Sequence, residues 1–437
     1  MDIVTQLKQS MTTQLTGSVV RTSGTTISAA GFPAPIGAVA EIERSGTTPL
    51  QGEVIGFHDN LTLIYPYADA EGVRRGQRVR LVRTSHWLRV GDSMLGRVVD
   101  AQGRPIDGRP LGMLDQRVPL ERRPPAACSR PRIEKPLSTG VRSIDGLLTC
   151  GEGQRLGIFA GSGVGKSTLL GMMARYAKAD VIVLGLIGER GREVNEFIQK
   201  DLTEAGLKKS VVVVATSDEP PLMRVRAAST ATAVAEHFRD QGLNVLLLID
   251  SLTRFALAQR EIGLAAGEPP ATRGYPPSVF STMPRLIERA GLSETGGITA
   301  FYTVLVEGDD PNEPISDCAR GLLDGHVWLD RSLAHRGHYP AVDILQSISR
   351  LASDVCDPEH LEAARRIRHW LALYKENEDL ITIGAYRPGA DASLDEAVRR
   401  KNMIDSYLRQ KADEQSNVSN AREGLFRLAA PNRNPRT

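Results

Sequence analysis

The stretch "RLGIFAGSGVGKSTLL", Arg155 to Leu170, joins an apolar run to a glycine-rich turn and then to Gly-Lys-Ser-Thr. A strand before the turn and a helix after it are what a phosphate-binding loop requires. Gly161, Gly163 and Gly165 let successive N–H groups point into one anion-binding concavity, and the following helix directs its positive end at the same place. The usual spacing is met at Gly165, Lys166 and Ser167, while Ala160 stands where the first glycine is expected. Lys166 would reach the β/γ-phosphates of a triphosphate and Ser167 would hold Mg²⁺, with Gly161, Ser162, Gly163, Val164, Gly165 and Thr168 wrapped around the phosphates. The bland alternative is an ordinary glycine-rich turn between a strand and a helix.

Around this loop the chain divides into several parts, as its 437 residues suggest. Residues 1–16 carry Ile3, Leu7, Met11 and Leu15 as one apolar stripe on a short polar helix, which either packs on its own domain or docks a partner helix. Over 17–95, short β-rich runs such as "LQGEVIGFHD" and "LTLIYPY" alternate with turn residues and suggest a small closed barrel. "GRVVDAQGRPIDGRP" and the Pro/Arg-rich stretch after it read as a linker. Over 96–355 the runs "RLGIFA", "DVIVLGLIG", "SVVVVAT", "NVLLLIDS", "GITAFYTVLV" and "GHVWLD" are apolar throughout, as strands of a parallel sheet covered on both faces are. Residues 356–437 are helix-rich and charged, with Pro358 suited to a first helical turn and "APNRNPRT" expected to be disordered.

Composition excludes some partners. A net charge of +2 gives no footprint for nucleic acid. The four cysteines are far apart in sequence and form no metal-ligand or redox pair, which fits free thiols in a reducing compartment. The first residues lack the pattern of a signal peptide, and no apolar run approaches the roughly 18 residues of a membrane span. The expectation is a cytoplasmic protein that meets a membrane only through partners.

Two carboxylates belong with the loop. Asp250 ends the apolar run "NVLLLID", where a carboxylate supports Mg²⁺ beside a phosphate loop, although an Asp at a strand end is more often a helix cap. Glu189 ends the next run after the loop and is placed to orient or deprotonate an attacking water, with Arg190 and Arg192 beside it to offset phosphate charge. A solvated charge run opening a helix accounts for the same residues equally well.

Taken in order, "GRVVDAQGRPIDG", "AGSGVGKST", "GLIGERGRE", "LLLIDSLTR" and "YPAVDILQSIS" resemble the catalytic-subunit family of rotary ATP synthases. "LLTCGEGQRLGIFAGSGVGKSTLLGMMAR", "RFALAQREIGLAAGEPPATRGYPPSVF" and "GHYPAVDILQSISR" are most similar to the flagellar and type III protein-export ATPases within it. The resemblance implies an α/β fold: a RecA-like P-loop core with a parallel sheet, a small N-terminal β-barrel and a C-terminal helical domain. It implies ATP and Mg²⁺ as cofactors, Lys166 on the phosphates, Ser167 and Asp250 on the metal, and Glu189 as the base. Arg190 and Arg254 match positions near the γ-phosphate. Tyr339 matches the aromatic that stacks on adenine, and Tyr386 would close the other side. Arg350 matches an arginine finger that enters the neighbouring subunit's site, worth about 10³–10⁵ in rate. One chain carrying both Glu189 and Arg350 implies a homohexameric ring with interfacial sites.

The same resemblance implies a stator-like regulatory protein at the N-terminal helix and a central stalk bearing on the loop Gly267–Phe280. That loop also reads as a rigid connection between two helices. Export-gate membrane proteins and chaperone-bound export substrates would meet the C-terminal domain, peripherally at the inner-membrane export apparatus. The favoured activity is ATP hydrolysis that energises flagellar protein export. The alternatives are a virulence secretion (injectisome) ATPase, a catalytic subunit of a rotary synthase or ion pump, and a hexameric RNA translocase. The last expects an aromatic platform, and the barrel offers chiefly His58, Tyr65 and Tyr67.

Overall fold

The computed structural model describes residues 15–44, 46–306, 310 and 312–430. The expected N-terminal helix and the C-terminal tail lie almost wholly outside the described residues.

The β-rich runs close into a barrel. Its strands are β1 (Thr16–Ser23), β2 (Thr26–Ala30), β3 (Val39–Ile42), β4 (Leu50–His58), β5 (Leu61–Pro66) and β6 (Arg78–Arg83), in the spatial order β1-β2-β5-β4-β3-β6. Alternate residues of β4 turn inward, and Val19, Ile27, Ile42, Val54, Ile64 and Val79 fill the interior. Tyr65 and Tyr67 are buried and His58 lies beside Asp59, so these three rings make no common exposed face.

The central sheet is built on β7 (Arg97–Asp100), β8 (Arg155–Ala160), β9 (Val181–Glu189), β10 (Ser210–Thr216), β11 (Asn244–Asp250), β12 (Gly297–Leu305), β13 (Gly325–Leu329) and β14 (Val342–Ser349). They lie in the order β14-β13-β8-β12-β11-β9-β10-β7. Neighbours are parallel except for β14, which runs antiparallel to β13 at one edge, and a short Gly291–Leu292 pairing on β12. Two sequence expectations change here. "GRVVD", taken as part of a linker, supplies the opposite edge strand β7, and Gln116–Pro119 from the stretch after it pairs with Trp87–Val90. "VDILQSIS" is a strand that its polar residues concealed, because an edge strand buries less than a central one.

Both faces of the sheet are covered, which is why its central strands are apolar throughout. On one face α1 (Lys166–Tyr176) and the C-terminal helices α5 (Pro358–Glu376), α6 (Ala392–Leu408) and α7 (Val418–Ala429) share a core with Ile158, Leu184, Leu248 and Phe301. On the other, α2 (Pro221–Asp240), α3 (Leu252–Ala265) and α4 (Pro277–Ile287) pack on Phe159, Val183, Leu247 and Tyr302. Pro358 occupies the first turn of α5, and the Asp357 side chain accepts from the His360 amide. The loop between α3 and α4 is pinned by Glu268, whose carboxylate accepts from the Ser278 amide at 3.0 Å. It holds Arg273 at φ 46, a left-handed conformation rare for a residue with a side chain.

Candidate nucleotide site

Parallel strands bring their carboxyl ends to one rim, and the predicted chemistry collects there. Ala160 is level with Leu305, and Asp250 with Leu186. Because β12 lies between β8 and β11, its residue Thr303 faces Asp250 and donates to Oδ1 at 2.6 Å. Lys166, the first residue of α1, bonds the same Oδ1 and stands 3.6 Å from Glu189 Oε1. The three side chains are 13%, 16% and 6% exposed for Lys166, Glu189 and Asp250, so their charges act in a poorly solvated space.

Burial pulls the Lys166 ammonium down, but the carboxylates of Asp250 and Glu189 outweigh it and hold the lysine above its ordinary value. Burial pushes the Glu189 carboxyl up, and the nearby lysine only partly offsets the rise. A raised carboxyl is a stronger proton acceptor once ionised, which suits a base that must activate water.

The glycine turn has the required shape. Gly165 caps α1 at φ 90, and a Cβ built there would come within 3.3 Å of the Tyr339 ring. Tyr339 therefore leans on the phosphate loop itself. The ring, Thr168, Leu169 and Met172 line a cleft of ≈ 800 Å³ together with Arg409 to Ala412 and Glu414. Leu169, Met172 and Pro340 give the ring apolar company, and the 409–414 segment adds polar groups, a combination that suits a flat heterocycle. Gly165→Ala should place strain of about 1–2 kcal/mol on the turn and push Tyr339 aside. We expect roughly tenfold weaker binding of a fluorescent ATP analogue, and unchanged affinity would contradict this geometry.

The remaining predicted residues divide. Ser167 and Thr168 are exposed on the first turn of α1, and Thr168 lines the cleft. Arg254, in the first turn of α3, packs across Gly188 beside Glu189, and its buried Nε has no hydrogen-bond partner among the described residues. Arg190 caps the helix Gly191–Glu196 and pairs with Glu193 at 3.0 Å, its side chain 80% exposed. Tyr386 is not among the residues that line the cleft, and its hydroxyl bonds Asp395 at the start of α6.

Arg350 stands at the opposite end of the sheet. Its amide donates to the Asp324 carbonyl at 3.0 Å, and Asp324 also receives the Arg155 amide, so both flank the amino end of β8. A six-residue strand separates the two ends by about 20 Å. The exposed Arg350 guanidinium donates to the Arg320 carbonyl and cannot serve the Lys166 of its own chain.

Sequence reasoning missed Thr303 and the 409–414 wall. Thr303 was detectable as a hydroxyl within an apolar strand, since a buried hydroxyl needs a partner. Gln410 carried no signal: its amide nitrogen donates to the carbonyls of Gly140 and Glu414, and its backbone N–H to Tyr339, contacts made only by folding.

Comparison with known proteins agrees with this architecture. Residues 19–82 match the ATP synthase alpha/beta family β-barrel domain, 140–349 its nucleotide-binding domain, and 356–427 the T3SS EscN ATPase C-terminal domain. The chain is 52% identical to the flagellum-specific ATP synthase of Bacillus subtilis over 400 residues, 91% of each chain. It is 50% identical to the type 3 secretion system ATPase of Xanthomonas euvesicatoria, over 94% of this chain and 93% of that one. The assembled ATPase EscN of enteropathogenic E. coli superposes with TM-score 0.90 at 47% identity, covering 95% of this chain and all of that one. EscN in complex with its central stalk EscO gives 0.88. By domain content, by identity along nearly its whole length and by fold, the chain belongs to the ATP synthase alpha/beta family, in the branch of the flagellar and type III secretion ATPases.

Proposed function

We propose that the chain is an ATPase that works as a homohexameric ring, with active sites between protomers, and energises protein export through the flagellar type III apparatus. The observation that carries the ring is Arg350, exposed and about 20 Å, a strand's length, from the phosphate loop of its own chain. A positively charged finger there has work only in a neighbour's site, and a head-to-tail interface that repeats this contact gives a ring when its rotation closes. The assembled form of EscN supports the same reading.

In each site Tyr339 and the 409–414 wall hold adenine, the Gly161–Thr168 turn and Lys166 hold the phosphates, and Glu189 takes a proton from the attacking water. Arg254 and Arg350 of the adjacent copy meet the charge that develops on the transferred phosphoryl group. Among the described residues no cluster of three His, Cys, Asp or Glu side chains is fit to hold a metal. Mg²⁺ needs none, since it is bound through one or two protein oxygens plus substrate phosphates, and the Ser167 hydroxyl and Asp250 carboxylate are that set. Bound there it would neutralise phosphate charge.

The EscN complex with its stalk supports a stalk partner, which we place at the Gly267–Phe280 loop. Regulatory protein, export gate and chaperone-bound cargo are proposed for the two ends of the chain. No helix among the described residues is long and apolar enough to cross a membrane, so membrane association would run through these partners. The injectisome is the second reading, favoured by the Xanthomonas relative and by EscN. Phosphate release from ATP tests the activity. It should require Mg²⁺ and cease with chelator, and its kcat/KM should fall on the acid side at a pH above the ordinary glutamate value, because the buried Glu189 must lose its proton to act. Chelator-resistant turnover, or an acid limb at the pH of a free carboxylate, would contradict it.

A further inference from the structure

Arg175 lies in the last turn of α1, away from the phosphates, yet it touches both sides of the site. One guanidinium nitrogen donates to the Asp201 carbonyl and another to the Ala412 carbonyl. Ala412 lines the same cleft as Tyr339, in the segment whose Gln410 amide donates to the Tyr339 carbonyl. Asp201 belongs to the π-helical turn Phe197–Leu202, in the segment that leaves Glu189 and the helix Gly191–Glu196.

That segment is unusual in three ways. A π turn inside a helical stretch is rare and recurs at functional sites. Thr203, just after it, has φ 62, a left-handed conformation that costs a threonine energy unless its surroundings impose it. It also rides directly on α1: a Cβ built at Gly171 would lie 2.6 Å from Asp201 Cβ and 2.8 Å from its carbonyl oxygen, so only glycine permits the approach. Thr168, which lines the cleft, lies near enough to the Asp201 carboxylate to draw it towards its charged form, against the rise that burial causes. Lys209 Nζ donates to the Arg175 carbonyl at 3.1 Å and fixes the end of the helix that carries the guanidinium.

We propose that Arg175 is a positioning residue that makes turnover depend on the base: it ties the cleft wall at Ala412 to the segment behind Glu189. A planar guanidinium is suited to this, because its fork of donors spans two carbonyls at once. A purine seated between Tyr339 and the wall fixes Ala412, and through Arg175 it fixes the Asp201 turn and the helix that begins one residue after Arg190. A smaller base leaves the wall, and hence that segment, less well placed. The inference rests on adenine binding at Tyr339.

The test compares kcat for ATP and CTP in the full-length wild type, Arg175→Ala and Arg175→Lys, with thermal melting as a check on folding. The wild type should favour ATP in kcat, and both variants should lose about tenfold of that preference, the scale of losing hydrogen bonds to a charged group. Lysine keeps the charge but is a compact single head, so it should not rescue the ratio, and it carries the test if the alanine variant fails to fold. Equal losses for the two nucleotides, with the ratio intact, would reduce Arg175 to a structural residue and overturn the inference, as would full rescue by lysine. A wild type indifferent to the base would sink the adenine reading of the cleft, and this inference with it.

Discussion

Glu189→Gln should bind ATP about as well as the wild type and hydrolyse it roughly 10²–10⁴-fold more slowly, the range general-base catalysis contributes. The substitution is nearly isosteric, so the turn after β9 keeps its shape. Lys166 keeps its bond to Asp250, and Thr303 keeps its own. The one thing removed is a buried proton acceptor whose carboxyl is held above its ordinary value by burial. Losing a negative charge 3.6 Å from Lys166 should if anything favour an anionic ligand. Binding titration and single-turnover hydrolysis separate the two effects. Turnover near the wild-type rate would remove Glu189 from the base role.

Arg350→Ala should lower turnover further, by about 10³–10⁵-fold if the residue acts as an arginine finger. Its fold cost should be small, because the guanidinium is exposed and, among the described residues, its hydrogen bond goes to the Arg320 carbonyl. Melting temperature and nucleotide affinity should therefore stay close to wild type while the rate collapses. That dissociation separates a finger from a strut: a structural role would lower stability along with activity. Loss of stability in step with the rate would assign Arg350 to packing.

Much of this was legible before folding. The six central strands stand where apolar runs end in turn residues, since strands covered on both faces leave no polar alternation to misread. Lys166, Glu189 and Asp250 were found because each sits at a strand's carboxyl end or just past it, and a parallel sheet puts all such ends on one rim. Edges were harder: Arg97–Asp100 and Val342–Ser349 mix polar with apolar residues, so the first passed for linker and the second went unread. The adenine side was read only by half. Tyr339 followed from resemblance, but the other residues of its cleft include a chain segment 70 residues later whose polar sequence "RQKADE" has no periodicity to announce it. Tyr386 rests on the same resemblance, and its hydroxyl bonds Asp395.

The central claim is that each active site needs two copies of the chain. Specific activity measured across a dilution series, with mass determined on the same samples, tests it most directly. The rate per chain should rise with the oligomer fraction in the wild type, while Arg350→Ala stays flat at the rate of the wild-type monomer. A wild-type monomer that hydrolyses ATP at the full rate would contradict the account.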